Sequence, residues 1–226
     1  MEASSRGGFI FGRQLSVGQD GERQDRDRSE MMSAEINARA DAVLAVLAAS
    51  AASGYIGEDV NQLEHALQAA HFASQAGGSD AQVLAALLHD IGHLLDPEAP
   101  SMAGLGVIEH ERVGADYLRG QGFSESVACL VEGHVQAKRY LTFAKPAYAA
   151  RLSEASRGTL AWQGGAMDAA EAEAFEADPL FRSILAMRTW DERAKVVGLE
   201  VLELEGYRGR LVGHLEAALR GDEASP

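Results

Sequence analysis

The most informative stretch of the chain is QVLAALLHDIGHLLD, residues 82–96, in which His89 and Asp90 follow a run of apolar side chains. On a helix with about 3.6 residues per turn, adjacent side chains project about 100° apart. Two polar groups placed in this way are costly in an apolar core unless they have partners. Both can face a site where a carboxylate bridges two metal ions. The pair predicts either such a site or an ordinary amphipathic helix that reaches solvent.

Further potential ligands lie on other predicted helices. His65, His110 and His134 each fall on a separate helix or helix end, and the late segment TWDERAK offers Asp191. Metal sites inside helical bundles take their ligands from several facing helices. Four histidines and two aspartates exceed one tetrahedral site and suit two ions. Because no thiolate is among them, iron, manganese or magnesium is favoured over structural zinc.

Three other residues of these types are interpreted as structural. A lone histidine on an apolar helix is more often a core or surface residue than a ligand, and His71 and His214 have no suitable companion nearby in sequence. Cys129 lies in an apolar helical run and is expected to be a small core residue. One cysteine excludes an intrachain disulfide framework and a thiolate zinc site, and it fits a reducing compartment.

The composition of the chain limits the kinds of partner that the protein is expected to bind. The net charge of −14 argues against nucleic acid, which requires clustered Lys and Arg. No run of about 18 apolar residues exists, so we expect no membrane span. The start of the chain has no apolar stretch of signal-peptide length. We therefore expect a cytoplasmic protein that binds neither nucleic acid nor membrane.

The pattern of elements indicates an all-α domain. Residues 1–32 are polar and Gly-rich and are predicted to be a disordered tail. Residues 33–222 carry apolar side chains at helical spacing and no strand-like alternation. Predicted helices include about 60–76, 79–96, 107–119, 124–133 and 135–143, with Ser79 or Asp80 as a cap. Short connections favour antiparallel neighbours in a bundle.

His65, the His89-Asp90 pair and Asp191 match the H…HD…D signature of the HD-domain superfamily, which the chain resembles. Other segments resemble one branch of it, the mixed-valent di-iron oxygenases that cleave the carbon–phosphorus bond of α-hydroxyphosphonates. These segments are YIGEDVNQLEHALQ, GHVQAKRYL, LSEASRGTL and MRTWDERAK. The resemblance covers residues 53–197 and implies an HD-type helical bundle with a dinuclear metal site in its core.

The resemblance implies a role for each matching residue. Two irons, one Fe(II) and one Fe(III), would be bound by His65, His89, Asp90, His110, His134 and Asp191, with Asp90 bridging. Tyr55 would occupy an open position on the first iron, Glu58 would help hold it, and His93 would carry protons or support the cluster. The substrate would be bound by Glu58, Asp59, Lys138, Ser156, Thr159 and Arg188. The reactants would be an α-hydroxyphosphonate and O2.

The sequence says less about the end of the substrate that does not carry the phosphonate. Glu58 and Asp59, with Tyr55, Tyr140 and Trp162 near the matched segments, suit a quaternary ammonium group, which binds through charge and cation–π contact. This favours 1-hydroxy-2-(trimethylammonio)ethylphosphonate, which would give glycine betaine, over 2-amino-1-hydroxyethylphosphonate, which would give glycine. Phosphate would be the other product.

Other interpretations stay open at this point. The same metals could activate water in a phosphohydrolase acting on a nucleotide or phosphate monoester, or the chain could be a non-catalytic sensor or adaptor. Tyr55 with Glu58, and Lys138 four residues after His134, favour the oxygenase, and a degraded site should lack ligands. Individually, Tyr55 could be a turn aromatic and Lys138 a solvated helix residue. Ser156 and Thr159 could be helix caps, and Glu58 and Asp59 could favour a helix N-terminus.

Overall fold

The computed structural model describes residues 16–55 and 57–222. Within these ranges the chain forms helices and no strand, with isolated bridges between Gly54 and Asn61 and between Ser101 and Val107. The predicted all-α class is therefore confirmed. The helices are α1 Ser16–Ala49, α2 Gln62–Gln75, α3 Asp80–Leu88, α4 His110–Gly120, α5 Glu125–Ala144, α6 Pro146–Arg151, α7 Glu154–Trp162, α8 Ala169–Glu176, α9 Phe181–Arg193 and α10 Arg208–Arg220. Short 3-10 turns cover Ser50–Ala52, Ile91–His93 and Leu204–Tyr207.

The described part of the chain divides into two compact units, with the boundary between Ala38 and Arg39. In the first unit, residues 16–32 belong to α1, so the disorder predicted for residues 1–32 is not seen over them. Glu, Gln, Arg and Met are good helix formers and are frequent in this polar stretch. Residues 1–15 lie outside the described part of the chain. The boundary of the folded domain at residue 33 stays a prediction.

Five helices of the second unit, α2, α3, α4, α5 and α9, form the centre of the bundle. Helix α2 packs on α3 and α9, and α5 packs on α3, α4 and α9. Their contact faces carry fully buried aliphatic side chains such as Leu84, Leu87, Leu130 and Met187. Burying such a side chain contributes about 1.5–3 kcal/mol. The potential metal ligands are on or next to these same helices, so the core that stabilises the bundle also positions the site.

Side-chain caps fix where the central helices begin. Asn61 accepts from the backbone N–H of Glu64, whose carboxylate accepts from the N–H of Asn61, and this capping box starts α2. Ser79 and Gln82 form the same arrangement at α3, so Ser79 is the predicted cap. Ser124 starts α5. Each such cap stabilises a helix by about 1 kcal/mol and fixes its register.

Three helix boundaries differ from the prediction. The two segments predicted at 124–133 and 135–143 are one helix, α5, and Gly133 lies inside it where Ile184 of α9 packs against the helix. Helix α4 begins at His110, not near residue 107, after Glu109 adopts a left-handed conformation with φ 55°. Helix α3 ends at Leu88, well before residue 96. No described helix is long and apolar enough to cross a bilayer.

Candidate metal centre and substrate cavity

The early end of α3 explains how two adjacent polar residues reach one site. His89 keeps helical angles, φ −59° and ψ −34°, but Asp90 has φ −100° and ψ 8° and begins the 3-10 turn Ile91–His93. The chain therefore changes direction between the two side chains. The expected divergence of 100° on a regular helix does not apply, and both side chains are buried at the same centre.

The first group of potential ligands, the inner trio, is His65, His89 and Asp191. They come from α2, the end of α3 and α9, and all are buried. The Nε2 atoms of His65 and His89 are 3.1 Å apart. Oδ1 of Asp191 lies 3.5 Å from Nε2 of His65 and 3.9 Å from Nε2 of His89. The inner trio thus directs two imidazole nitrogens and one carboxylate oxygen at a common point.

The second group, the cavity trio, is Asp90, His110 and His134. His110 is the first residue of α4, and His134 lies in the middle of α5. Their Nε2 atoms are 3.2 Å apart. Oδ1 of Asp90 lies 3.5 Å from Nε2 of His110 and 3.7 Å from Nε2 of His134.

Asp90 also faces the inner trio. Its other carboxylate oxygen, Oδ2, lies 3.3 Å from Nε2 of His89 and 3.7 Å from Nε2 of His65. One oxygen is therefore directed at each trio. A carboxylate arranged in this way can bridge two cations, because each ion can take its own oxygen.

Hydrogen bonds on the far side of the rings show which nitrogen is free. Nδ1–H of His65 donates to the carbonyl of Ala194 at 2.8 Å, and Nδ1–H of His89 donates to the carbonyl of Ala86 at 2.9 Å. A carbonyl can only accept, so both protons are on Nδ1 when the rings are neutral. Two unprotonated Nε2 atoms then face each other at 3.1 Å. Such a pair needs a proton or a metal cation near it, and orientation through Nδ1–H is typical of metal-binding histidines.

The cavity trio is less completely oriented. Nδ1–H of His134 donates to the carbonyl of Val131 at 2.7 Å. Nδ1 of His110 makes no hydrogen bond, although Oε2 of Glu111 lies 3.3 Å away and also lacks a hydrogen-bond partner. The two atoms can form a carboxylate–histidine contact with a small rotation of either side chain. His110 is therefore the one described ligand candidate whose ring is not fixed by the backbone.

The pKa values favour the ionisation states that a metal requires. Burial lowers the pKa values of His65 and His110, and lowers the pKa of His134 to about 4. Burial opposes the charged forms of Asp90 and Asp191, but neighbouring cationic groups outweigh it and hold both pKa values below the ordinary range. Neutral imidazoles and ionised carboxylates are the metal-binding forms.

His89 is different. Burial lowers its pKa, but the charges of Asp90 and Asp191 and the contact with Asp90 outweigh this and raise the pKa to about 9. In chemical terms, these two carboxylates stabilise a positive charge where the inner trio converges. A metal cation satisfies the same requirement. The donor set of imidazole nitrogens and carboxylate oxygens, without sulfur, suits iron or manganese.

A pair of glycines lets α4 approach the turn that carries Asp90. A Cβ added to Gly92 would lie 2.0 Å from the backbone oxygen of His110 and 2.8 Å from the backbone nitrogen of Gly114. Any larger residue would therefore push the start of α4 away. The short distance from Asp90 to His110 depends on this backbone contact.

Tyr55 and Glu58 form a turn beside the inner trio. The ring of Tyr55 stacks on His65, with centroids 3.9 Å apart and planes 14° from parallel. The N–H of Glu58 donates to the carbonyl of Tyr55, and Gly57 between them has φ +77°. Burial is the main reason that the pKa of Tyr55 is raised well above its usual value. Oε1 of Glu58 accepts from Nζ of Lys195 at 2.6 Å.

His93 lies against the cavity trio. Its ring stacks on His110 with centroids 3.8 Å apart, and its Nδ1 accepts from the backbone N–H of Val107 at 2.9 Å. Because Nδ1 accepts, the proton of the neutral ring is on Nε2. His93 can therefore offer a hydrogen-bond donor through Nε2.

A cavity of about 70 Å³ opens on this centre. The whole cavity trio lines it, whereas Asp191 alone of the inner trio does so. The predicted substrate contacts that line it are Glu58, Lys138, Ser156, Thr159 and Arg188, and Tyr55 and His93 line it as well. Nζ of Lys138 donates to Oγ1 of Thr159 at 2.8 Å, so helices α5 and α7 meet at this wall.

Arg188 connects the cavity wall to the inner trio. Its guanidinium forms an ion pair with Asp191 and donates to the hydroxyl of Tyr148 at 2.9 Å and to Glu192 at 2.9 Å. It is buried while still lining the cavity. Arg188 can therefore orient Asp191 and present positive charge to an anion in the cavity.

Several predicted contacts need correction. Asp59 is exposed and does not line the cavity, because the turn directs Glu58 towards Lys195 and leaves the next side chain in solvent. Tyr140 donates its hydroxyl to Glu176 and packs on Phe175, away from the cavity. Trp162 is 54% exposed and is also absent from the cavity lining. The aromatic surroundings expected for a quaternary ammonium group are not formed by these residues.

Sequence reasoning missed Lys195 and Gln163, which both line the cavity. Lys195 stands four residues after Asp191 at the end of the TWDERAK segment, and this position was the available signal. Oε1 of Gln163 is buried without a hydrogen-bond partner, and nothing in the sequence around it indicated a site. His71 stacks edge-on with Phe72, and His214 accepts from the backbone of Ser124, which agrees with structural roles.

Comparison with known proteins gives the family. The HD domain profile matches residues 63–178. The chain is 42% identical over 161 residues to the hydroxymethylphosphonate dioxygenase of Gimesia maris, covering 70% of this chain and 80% of the relative. It is 44% identical over 147 residues to the glycine-betaine-forming [1-hydroxy-2-(trimethylamino)ethyl]phosphonate dioxygenase of Leisingera caerulea, covering 65% and 74%. Uncharacterized protein L432 of Acanthamoeba polyphaga mimivirus is 41% identical over 165 residues, covering 72% and 75%.

Asp191 and Lys195 lie beyond the region matched by the profile, although both belong to the site built above. The other five potential ligands, His65, His89, Asp90, His110 and His134, lie within that region. With the buried metal-binding groups, the helical fold and relatives named as phosphonate dioxygenases, they show that the chain belongs to the HD-domain family and, within it, to the phosphonate oxygenase type.

Proposed function

We propose that this HD-domain oxygenase cleaves the carbon–phosphorus bond of a small α-hydroxyphosphonate with O2, using two iron ions as Fe(II) and Fe(III). One observation carries the proposal. The two carboxylate oxygens of Asp90 face separate trios of buried ligands, and the trio that faces the cavity lies among cationic and hydroxyl side chains. This arrangement suits a pair of ions acting on a bound anion.

The metal assignment follows the resemblance residue by residue. The inner iron would be held by His65, His89, Asp90 and Asp191, and the other iron by Asp90, His110 and His134. The support is the inward orientation of the Nε2 atoms, the ionised carboxylates and the absence of sulfur from the donor set. When bound, the iron pair would supply the redox chemistry with O2 that no side chain here can supply.

The cavity wall would bind the phosphonate. Lys138 offers a point charge, Arg188 a guanidinium fork, and Ser156 and Thr159 two hydroxyls. A phosphonate has three acceptor oxygens and one to two negative charges, and such donors match it. Burial of Lys138, which is 5% exposed, strengthens its interaction with an anion because water is largely excluded.

Three residues near the irons would control access and protons. We assign Tyr55 to the open position on the inner iron in the absence of substrate, since its ring is already fixed against His65. Glu58 would hold the turn that carries Tyr55. His93, with its proton on Nε2, would donate to the substrate or carry a proton at that atom.

The reaction adds one oxygen atom to carbon and one to phosphorus. The C–P bond breaks, the α-carbon with its hydroxyl becomes a carboxylic acid, and phosphorus leaves as phosphate, while O2 takes up four electrons. The trimethylammonio substrate would give glycine betaine, 2-amino-1-hydroxyethylphosphonate would give glycine, and hydroxymethylphosphonate, named for one relative, would give formate. The preference for the trimethylammonio compound loses support, because Asp59, Tyr140 and Trp162 do not line the cavity.

The test is phosphate release by the iron-loaded protein from each of the three hydroxyphosphonates, with and without O2. We expect release only when O2 is present, together with a paramagnetic resonance signal from a coupled Fe(II)/Fe(III) pair. Release from a phosphate monoester without O2 would instead establish the phosphohydrolase. A chain that binds no transition metal would end the oxygenase interpretation, and one that binds no divalent metal at all would end both. The single cysteine fits a reducing compartment, so we place the reaction in the cytoplasm.

A further inference from the structure

Lys195 places a positive charge at the wall of the cavity. Its Nζ donates to Oε1 of Glu58 at 2.6 Å and lies 5.8 Å from the centroid of the Tyr55 ring. A carboxylate and an aromatic ring are the two partners that an ammonium group of a substrate would use. The ammonium group of Lys195 already has both partners.

The backbone on both sides of Lys195 is fixed. The carbonyl of Ala194 accepts from His65, a member of the inner trio. Gln68 of α2 donates to the carbonyl of Val196 and accepts from its N–H, both at 2.9 Å. Lys195 is therefore held by a segment tied to α2 at three points, and the side chain starts from a defined position instead of a mobile loop.

No carboxylate of the described cavity wall remains for a second ammonium. The acidic residues that line it are Glu58, Asp90 and Asp191. Asp191 pairs with Arg188, Asp90 faces both trios, and Glu58 pairs with Lys195. An added cation would meet the like charge of Lys195 with nothing to compensate it.

The aromatic partner, the ring of Tyr55, also already has neighbours that would compete with a ligand. One face of the Tyr55 ring is covered by His65, and the ring already has a cation 5.8 Å from its centroid. Tyr140 and Trp162 lie away from the cavity. A trimethylammonium group, which cannot donate hydrogen bonds, would have no free aromatic face among these residues.

We propose that Lys195 determines specificity by occupying the place of a substrate ammonium group, so that the enzyme prefers an α-hydroxyphosphonate whose α-carbon carries no cationic substituent. Hydroxymethylphosphonate is the smallest member of this class. This inference rests on the proposed function. The balanced reaction is HOCH2PO3²⁻ + O2 → HCOO⁻ + HPO4²⁻ + H⁺, in which the C–P bond breaks and one oxygen atom is added to carbon and one to phosphorus.

Binding measured without O2 tests the inference separately from turnover. Anaerobic calorimetry on the iron-loaded chain would give dissociation constants for hydroxymethylphosphonate, 1-hydroxyethylphosphonate, 2-amino-1-hydroxyethylphosphonate and its trimethylammonio analogue. We expect the two neutral-tailed compounds to bind at least about tenfold more tightly than the two cationic ones, since a like-charge contact and a missing counter-ion both oppose the latter.

Variants then assign the effect to the charge. Lys195→Met keeps the length of the side chain and removes its charge, and should shift the ratio of dissociation constants by about tenfold or more towards the cationic ligands. Lys195→Arg should keep the wild-type preference. Adding Glu58→Gln to Lys195→Met should abolish the gain, because the freed carboxylate is what binds the ligand's ammonium. Lys145→Met, at an exposed position off the cavity, is the matched control.

The outcomes separate the two proposals. Cationic ligands that bind the wild type as tightly as neutral ones, or an unchanged ratio in Lys195→Met with normal iron content and unfolding temperature, would overturn the role of Lys195. The expected ratios without O2-dependent phosphate release from any ligand would support that role and overturn the C–P cleavage reaction. Failure of all four ligands to bind would overturn both.

Discussion

The inner trio and the cavity trio use the same ligand types but are held differently. In the inner trio, both histidines donate Nδ1–H to backbone carbonyls, and Asp191 is paired with Arg188. In the cavity trio, His134 alone has a backbone acceptor, and His110 rests beside Glu111 without a hydrogen bond. The inner trio is largely shielded from the cavity, while the cavity trio lines it completely.

This difference indicates that the two trios have separate roles, one in holding the metal and the other in the reaction. Rings fixed by backbone carbonyls have a defined tautomer and orientation before any ion arrives. A ring whose partner is a side chain can adjust when ligands change. We therefore expect the inner trio to determine whether metal is retained and the cavity trio to determine what happens to the substrate. Asp90 directs one oxygen at each trio, so substitutions there and at neighbouring positions should distinguish the two roles.

Replacing the shared carboxylate should have the largest effect. Asp90→Ala removes the oxygen that faces each trio and leaves buried cations without their counter-charge. We expect the iron content to fall from about two per chain to one or none, with loss of detectable turnover. Metal analysis and phosphate release measure this. Asp59→Ala, at an exposed carboxylate, should keep wild-type values, and a fully loaded Asp90→Ala protein would disprove the bridging role.

The second largest effect is expected from the backbone contact that holds the cavity trio together. Gly92→Ala places a methyl group against the backbone of His110 and Gly114, so α4 must move. The cost should reach at least ~3 kcal/mol, the upper end for overpacking, which lowers the unfolding temperature by roughly 6–12 °C. Gly120→Ala, at the end of the same helix with nothing within 4 Å, is the control. Wild-type melting and iron content in Gly92→Ala would contradict this account.

A smaller effect is expected when the side-chain partner of His110 changes. Glu111→Gln removes the carboxylate 3.3 Å from Nδ1 of His110. Loss of such a partner typically weakens metal affinity by about 10- to 100-fold. Competition with a chelator should show one ion weakened and the other unchanged. Glu109→Gln, on an exposed carboxylate paired with Arg112, controls for charge, and equal weakening of both ions would mean that the trios are not independent.

The smallest expected effect is a pH dependence at the cavity wall. Burial, with the charge of Arg188 second, lowers the pKa of Lys138 to about 7. As the pH rises through this value, Lys138 loses its charge and attracts the phosphonate less. The kcat/KM should therefore fall above about pH 7 and level off once Lys138 is neutral, because Arg188 and the hydroxyl groups still bind the phosphonate. Lys138→Arg, whose guanidinium stays charged, should lack this decrease, whereas Lys145→Arg should retain it.

Much of the fold follows from local patterns. Capping residues such as Asn61 and Ser79, apolar spacing and glycine breaks define most helices, because these are interactions within one turn of chain. Helix boundaries that depend on contacts with distant segments were harder to predict. Gly133 resembles a helix break in sequence, yet it lies inside α5, where Ile184 of another helix packs against it and leaves no room for a side chain. The polar residues 16–32 likewise form helix where composition predicted disorder.

The sequence by itself determined which side chains are available for metal binding, because a histidine or aspartate among apolar residues needs a partner wherever it lies. The six predicted positions are the six members of the two trios. Only the tertiary structure decided the rest. It directed one oxygen of Asp90 to each trio, left Asp59, Tyr140 and Trp162 outside the cavity, and brought Lys195 to Glu58 across 137 positions. Contacts between distant segments depend on how helices pack, and no local pattern encodes them.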